Sequence, residues 1–317
     1  MIVDRTISAN AHHQTNPNPP RGKIFASTGL AVVQASGQDV AKFLQGQLTC
    51  DVYSLSESQA SIAAFCNVKG RVICTLIIVK TLNSFLLLLP ADLLDTVLKK
   101  LKIYVLRADV MLQDQTGKLQ IMGLQAASCD AFGFDVPTTD FGVTQRPLTT
   151  LKLPAAVRYL VITEPDRIKL LAESLSAEQG FAAGSLDEWR YQDISTALPW
   201  FDSDQSEQHI PQMLGIDQLG GISFNKGCYT GQEIVARSHY LGKIKRALFV
   251  AECSRPATVG CMVLDGDSQQ NLGCVLTMSS WAGITRLLLV LQIVDGQPKN
   301  LILADDYRSP LAIISDQ

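Results

Sequence analysis

The sequence lacks the patterns that define several large protein classes. Its 8 cysteines include no C-x-x-C pair and no paired Cys and His spacing, which argues against a structural zinc site or an autonomous iron-sulfur cluster. Charged residues make up 18% and the net charge is −3, so the surface as a whole does not favour polyanions. No hydrophobic run approaches the roughly 20 residues of a membrane helix. We therefore expect no membrane segment and no metal.

The chain is nevertheless long and apolar enough to fold around real cores. It has 317 residues, of which 47% are hydrophobic, and this length predicts two or three domains. Residues 1–22 are rich in proline and polar groups and have no hydrophobic core of a secretory signal, which predicts a disordered arm. Most cysteines lie in apolar stretches, where a reduced thiol behaves as a small hydrophobic group. Together these features indicate a cytoplasmic protein.

Hairpins alternate with single helices along the chain, which predicts an α+β fold. Apolar strands over 62–66 and 72–79 flank a glycine-containing loop with Lys69 and Arg71 at its tip. The sequence Ser185-Leu186-Asp187-Glu188 has the spacing of a capping box, and so does the segment from Ser36 to Asp39. Each predicts the start of a helix, and Trp189 would lie in the first turns of the later one. From residue 246 onward, short strands and Asp-Gly turns predict an antiparallel barrel or sandwich.

The most informative stretch is the octet KGCYTGQE over 226–233. Thr230 and Glu233 have capping-box spacing, which predicts a helix starting just after Cys228. A helix N-terminus and the neighbouring Lys226 would favour the reactive thiolate of Cys228. The flanking glycines allow a ligand to approach the backbone closely, although turns alone could require them. A buried, inert Cys228 is the alternative.

The octet also begins a basic segment. Residues 226–246 carry five lysines and arginines against one glutamate, within an acidic protein. The cations are Lys226, Arg237, Lys243, Lys245 and Arg246. We expect this patch to attract an anionic ligand with salt-sensitive affinity, and a polyglutamylated folate more than tRNA.

The octet and three further segments resemble the YgfZ family of folate-binding proteins, whose fold is related to the aminomethyltransferase (T-protein) of the glycine cleavage system. The matching segments occur in the same order: FLQGQLTCDV (43–52), NVKGRV (67–72), residues 211–237 and KRALF (245–249). The resemblance implies a three-domain ring of two interleaved α+β domains over 23–245 and a C-terminal antiparallel β-barrel over 246–317. It also implies a tetrahydrofolate pocket.

The same resemblance implies which residues act. Cys228 would be the functional thiol, and Trp189 would stack on the pteridine ring, although a core tryptophan would give the same pattern. The remaining folate-binding candidates are Lys226, Gly227, Tyr229, Gly231, Gln232, Glu233, Arg237, Lys69 and Arg71. Of these, Glu233 is better explained as a helix cap, and Lys69 and Arg71 could equally be solvated surface charges. Some relatives carry a second tryptophan where this sequence reads Gly29-Leu30-Ala31-Val32.

Three functions are compatible with these residues. The first is an accessory protein that binds folate and supports assembly or repair of iron-sulfur client enzymes, including the one that thiomethylates tRNA. The second is a folate-dependent one-carbon transferase, which needs a carboxylate after the hairpin, where the segment 70–75 has none. The third is a binding module that never uses Cys228 chemically. Base-specific RNA reading is not expected, because no RNP-type aromatic pattern is present.

Overall fold

The computed structural model describes residues 20–240, 242, 244–293 and 300–316. Most of the predicted arm lies outside these residues, and Gly22 already belongs to the first strand. The strands are β1 (Gly22–Phe25), β2 (Leu30–Ser36), β3 (Ser61–Cys66), β4 (Val72–Lys80), β5 (Ser84–Pro90), β6 (Met111–Asp114), β7 (Gln120–Ala126), β8 (Val143–Thr144), β9 (Thr149–Lys152), β10 (Arg158–Thr163), β11 (Phe181–Ala183), β12 (Arg246–Cys253), β13 (Met262–Asp265), β14 (Asn271–Trp281), β15 (Ile284–Gln292), β16 (Leu301–Leu303) and β17 (Pro310–Asp316). The α-helices are α1 (Val40–Gln45), α2 (Leu94–Val105), α3 (Pro165–Gln179), α4 (Leu186–Ser195) and α5 (Gln232–Tyr240). Short 3-10 helices span Val52–Ser54, Ala91–Leu93, Cys129–Phe132, Ser203–Gln205 and Pro211–Leu214.

The first sheet has five antiparallel strands in the order β3-β4-β5-β2-β6. Strand β4 reads VICTLIIVK and is buried along all but its last residue, because both faces of the sheet are covered. The predicted hairpin is present, since β3 pairs with β4 across the loop 67–71. This sheet therefore holds that loop at its end.

The second sheet has six strands in the order β11-β1-β7-β10-β9-β8. Strand β1 precedes the whole first sheet in sequence, yet it pairs with β7 and β11 of the second. The two α+β units are thus interleaved, as predicted. The β1–β11 pair is parallel and every other pairing among the described strands is antiparallel, which confirms an α+β arrangement over a doubly wound one.

The C-terminal unit is a closed barrel in the order β12-β15-β14-β13-β16-β17. The strand and turn pattern was compatible with either a barrel or a sandwich. The sheet closes on itself, so the unit is a barrel and has no free sheet edge. Residues 287–291 of β15 are all buried, because one face lines the barrel core and the other meets neighbouring units. Helix α4 packs against β14 and β15 and so links the barrel to the second sheet.

Of the helix caps predicted at Ser185 and Ser36, the structure contains the first and not the second. Ser185 caps α4, because its Oγ accepts a hydrogen bond from the backbone N–H of Glu188 at 3.1 Å. The capping box at Ser36 was wrong, because Ser36 is the last residue of β2. The carboxylate of Asp39 instead accepts from the backbone N–H of Asp109 at 2.9 Å, which ties the start of α1 to a distant loop.

None of the described helices is long and apolar enough to cross a membrane.

Candidate functional site

The octet loop docks directly onto the hairpin loop 67–71, and two glycines make the contact possible. Gly231 has φ +82°, and a Cβ there would lie 2.5 Å from the carbonyl oxygen of Asn67. Gly70 has φ +66°, and a Cβ there would lie 2.8 Å from Cβ of Ile234. Any larger side chain at either position would push the loops apart. We call the combined surface of residues 67–71 and 226–233 the thiol surface.

Cys228 is the one cysteine of the described chain that is exposed. Cys50, Cys66, Cys74 and Cys253 are buried, and burial raises the pKa of the Cys50 thiol to about 12. Beside Cys228, Gly227 has no atom within 4 Å of the position of a Cβ. The alternative of a buried Cys228 is therefore wrong, and the thiol is accessible to a partner.

Lys226 does not stand free beside this thiol. Its Nζ donates hydrogen bonds to the carbonyl oxygens of Leu48 at 2.8 Å and Cys50 at 2.6 Å. Burial lowers the pKa of this ammonium to about 8. Its ammonium also lies 5.1 Å from the ring centroid of Tyr229, which is itself buried. Lys226 and Tyr229 therefore anchor the octet to the first sheet.

The predicted capping box at Thr230 was wrong. Helix α5 begins at Gln232, and the hydroxyl of Thr230 lies 3.4 Å from Oε1 of Gln47. The side chain of Gln232 instead bonds back to the loop, because its Oε1 accepts from the backbone N–H of Tyr229 at 3.2 Å. Gly231 supplies the left-handed residue that precedes the helix. Cys228 consequently lies in the loop, farther from the helix than its sequence spacing predicted.

The other predicted residues are distributed over or around the thiol surface. Lys69, Glu233 and Arg237 are exposed, whereas Arg71 donates through Nη1 to the carbonyl oxygen of Gln208 at 2.7 Å. The cations of the predicted basic patch differ in their surroundings. Lys226 bonds internally, Lys245 and Arg246 are exposed at the start of the barrel, and Lys243 lies outside the described residues. Binding of a polyglutamate tail stays a prediction.

A buried histidine lies behind the thiol surface. His209 is 4% exposed, and burial lowers its pKa to about 4, with further lowering by the charges of Arg71 and Arg246. Its ring nitrogen Nε2 lies 3.1 Å from Oε1 of Gln205. The folded protein therefore holds His209 neutral at pH values where the unfolded chain would protonate it.

This difference predicts a specific loss of stability in acid. The unfolded histidine has a pKa near 6.5, so keeping His209 neutral costs no stability above that pH. The free energy of unfolding then falls as the pH drops from 6.5 towards 4. We expect the wild type to lose up to about 3 kcal/mol more free energy of unfolding over this range than His209→Gln. Urea titrations from pH 7 to pH 4 measure the free energy of unfolding of both proteins. Equal losses in the two proteins would contradict the prediction.

A separate cavity of about 280 Å³ lies where the two sheets and the barrel meet. The start of β2 and the segment after β5 form one wall, α4 and the loop after it form the second, and the barrel forms the third. The residues lining it are Thr28, Gly29, Leu30, Pro90, Ala91, Asp92, Arg190, Asp193, Ile194, Leu198, Trp200, Phe201, Asp202, Val259, Thr277 and Met278. They include none of the residues that the sequence predicted for the site.

The chemistry of this cavity suits a planar, polar ligand. Trp200 is half-buried and Arg190 is exposed, so an aromatic face and a guanidinium line the same space. The Oγ1 of Thr28 is buried and has no hydrogen-bond partner among the described residues. A buried polar atom without a partner normally indicates a missing water or ligand. Asp193 is buried as well, and burial raises the pKa of its carboxyl although Arg158 opposes this at 2.6 Å.

Trp189 lies in the core beneath this cavity. It is 0% exposed, its ring centroid is 4.9 Å from that of Phe25, and the Arg158 guanidinium lies 4.0 Å from the ring centroid. A Cβ at Gly123 would be 2.6 Å from the ring, so this glycine is required for the packing. Trp189 thus fixes α4, which presents Arg190 and Asp193 to the cavity. Direct contact between Trp189 and folate stays a prediction.

Sequence reasoning missed Trp200. It follows α4 in the run Leu198-Pro199-Trp200-Phe201, which reads as buried chain. Pattern alone does not show that Trp200 is half-buried at the cavity, whereas its neighbours Leu198 and Phe201 are fully buried. The one sequence signal for Trp200 was an aromatic residue directly after a proline.

The segment 201–209 connects the cavity to the thiol surface. Phe201 and Asp202 line the cavity at one end of this segment. At the other end the carboxylate of Glu207 accepts from Asn67 at 2.5 Å and from Lys100 at 2.7 Å. The structure therefore contains two separate features, a partly open cavity and an exposed thiol, which this segment links. No group of three or more metal-binding side chains occurs among the described residues.

Comparison with known proteins identifies close relatives. The chain is 32% identical to the tRNA-modifying protein YgfZ of Colwellia psychrerythraea, over 98% of this chain and 94% of that protein. It is 35% identical to the protein of the same name from Yersinia pseudotuberculosis, over 84% and 79% of the two chains. No protein-family profile matches the chain.

A solved structure has the same fold. The glycine cleavage system aminomethyltransferase T of Bartonella henselae aligns with a TM-score of 0.75 over 93% of this chain and 86% of that chain. The sequence identity is 14%, so this likeness concerns the fold alone. It confirms the aminomethyltransferase-like arrangement of two interleaved α+β units and a barrel.

Proposed function

Because the chain belongs to the YgfZ family of tRNA-modifying proteins, we propose that it is a folate-binding accessory protein that supports assembly or repair of iron-sulfur enzymes, including tRNA thiomethylation. The observation that carries the proposal is the pairing of a partly open cavity, lined by an unpaired hydroxyl and a guanidinium, with an exposed thiol outside it. A ligand in the cavity and a client enzyme at the thiol can then be bound at the same time.

The cavity is the proposed site of tetrahydrofolate. Its volume of about 280 Å³ is at the lower end of ligand pockets, which suits the bicyclic ring and leaves the glutamate tail outside. Trp200 would contact the ring face, and the unpaired hydroxyl of Thr28 would exchange a hydrogen bond with a polar ring atom. Arg190, at the exposed edge, would attract the carboxylates of the tail.

The thiol surface is the proposed site for client enzymes. Cys228 protrudes between Gly227 and Tyr229, and the anchors described above hold the loop without covering the sulfur. An exposed thiol on a rigid loop can act as a thiolate ligand or as a redox nucleophile. All eight cysteines are unpaired, which supports a reducing compartment such as the cytoplasm.

The folate site is tested by replacing Trp200. We expect Trp200→Leu to weaken tetrahydrofolate binding at least tenfold, roughly 1.4 kcal/mol, because the ring loses its aromatic face. Calorimetry under anaerobic conditions measures the affinity. Trp281→Leu is the matched control, since Trp281 lies outside the cavity and should bind as the wild type. Unchanged affinity in Trp200→Leu would contradict the placement of folate here.

A one-carbon transferase is the alternative that the shared fold favours. Such an enzyme needs a carboxylate to organise the reacting groups. The residues after the hairpin, Val72 to Cys74, are apolar and buried, whereas Asp92 and Asp193 line the cavity. Asp202 lines the cavity too, and Asp193 is already paired with Arg158, which leaves Asp92 and Asp202 as the accessible acids. Loss of client maturation in Asp92→Asn or Asp202→Asn would favour the transferase, and retained maturation in both would favour the accessory role.

A further inference from the structure

A groove of about 620 Å³ lies on the opposite face of α4 from the folate cavity. Arg190, Asp193 and Ile194 face the cavity, whereas Tyr191, Gln192 and Ser195 line the groove. The start of β1, the end of β7, the start of β10 and residues of β14 and β15 complete the walls. The groove thus joins the second sheet to the barrel without touching the thiol surface.

Two arginines bring unpaired donors to this groove. Arg158 is 1% exposed, and its Nε and Nη1 have no hydrogen-bond partner among the described residues. Its Nη2 already donates to Asp193 at 2.6 Å. Arg286 donates through Nη1 to Ser195 and through Nη2 to Glu252, and its Nε is also buried without a partner in the described chain. Such groups are rare in folded proteins and indicate a missing acceptor.

The same groove has an aromatic wall. The ring of Trp281 is 5.6 Å from that of Tyr191, and Trp281 remains 38% exposed. Lys23 lies at the edge, with Nζ 5.0 Å from the Trp281 ring centroid and an ion pair to Glu188. Arg21 is exposed at the entrance. A partly exposed indole beside buried guanidinium groups is a combination that recognises a planar ring carrying an anion.

We propose that this groove binds a nucleoside monophosphate, with the base against Trp281 and the phosphate near Arg158 and Arg286. A phosphate offers three terminal oxygens, which matches donors arriving from two separate guanidinium groups better than the two oxygens of a carboxylate do. Bases stack on exposed aromatic rings with little dependence on their identity. The site is independent of the folate cavity, so neither proposal depends on the other.

The test uses the full-length protein and adenosine monophosphate as the probe. Calorimetry compares this nucleotide with adenosine, inorganic phosphate and indole-3-acetate. We expect the nucleotide to bind at least tenfold more tightly than any of the other three. Arg286→Lys should weaken it at least tenfold, because the charge remains while the guanidinium donors are lost. Trp281→Leu should weaken it at least fivefold.

Lys169→Met on the exposed face of α3 is the matched control for a lost cation, and it should bind as the wild type. Circular dichroism and the unfolding midpoint establish that each variant is folded. Equal affinity for adenosine and the nucleotide would overturn the phosphate assignment, and tighter binding of indole-3-acetate would replace it with a carboxylate. Undiminished binding in both folded groove variants would overturn the site.

Discussion

Cys228→Ser is expected to reduce thiomethylation of tRNA at least tenfold in cells that depend on this protein, while leaving its stability unchanged within about 0.5 kcal/mol. Stability should be unchanged because the sulfur is exposed on a loop whose anchors, Lys226 and Tyr229, do not involve it. Serine has nearly the same shape but forms neither a thiolate ligand nor a redox nucleophile.

The measurement is the ratio of thiomethylated to unmodified nucleoside in digested tRNA, by mass spectrometry. Cys261→Ser, at a half-buried position in the barrel, is the matched control and should complement fully. Full complementation by Cys228→Ser would show that the protein acts as a binding module. A folded but inactive variant supports chemical use of the thiol.

Trp189→Ala is expected to lower the free energy of unfolding by about 3–5 kcal/mol. The ring is fully buried against Phe25, Arg158 and the backbone of Gly123, so its removal leaves a large cavity beneath α4. Because α4 carries Arg190 and Asp193, folate binding should weaken together with stability. Denaturant titration and calorimetry on the same preparation measure the two effects.

Trp281→Ala is the control for this substitution. The Trp281 ring is 38% exposed, so its removal should lower the free energy of unfolding much less. The result also decides between two roles for Trp189. A loss of folate affinity without a loss of stability would establish direct contact with the ligand. Trp200→Leu should show the reverse pattern to Trp189→Ala, with weakened binding and nearly normal stability.

Much of the fold could be predicted from local sequence. Strands β3, β4 and β5 are continuous apolar runs bounded by polar turns, and the cap at Ser185 depends on residues three positions apart. Such features need only neighbouring residues, and the alternation of hairpins and single helices follows from them. The octet also singled out Cys228, which is exposed, and its flanking glycines predicted a turn or close approach to the backbone.

Other features depended on contacts that are distant in sequence. Thr230 had the spacing of a cap, but Gln47 lies beside it and Gly231 takes the left-handed position required by contact with the hairpin loop. Lys226 looked like an activating neighbour of the thiol, yet carbonyl groups from residues 48 and 50 bind its ammonium. Neither Gln47 nor the carbonyl groups of residues 48 and 50 can be identified as partners from the octet alone.

The sequence by itself determined the α+β class, the hairpin loop and a glycine-flanked cysteine loop, since these follow from periodicity, turn residues and glycine spacing. Only the tertiary structure decided that Trp189 is core and that Trp200 faces a cavity. The physical reason is that burial is set by what packs around α4, which carries Trp189, and around the loop after it, which carries Trp200. Arg158 covers Trp189 from the second sheet, while the barrel and the first sheet leave open space beside Trp200. Those neighbours meet only after the interleaved sheets and the barrel have assembled.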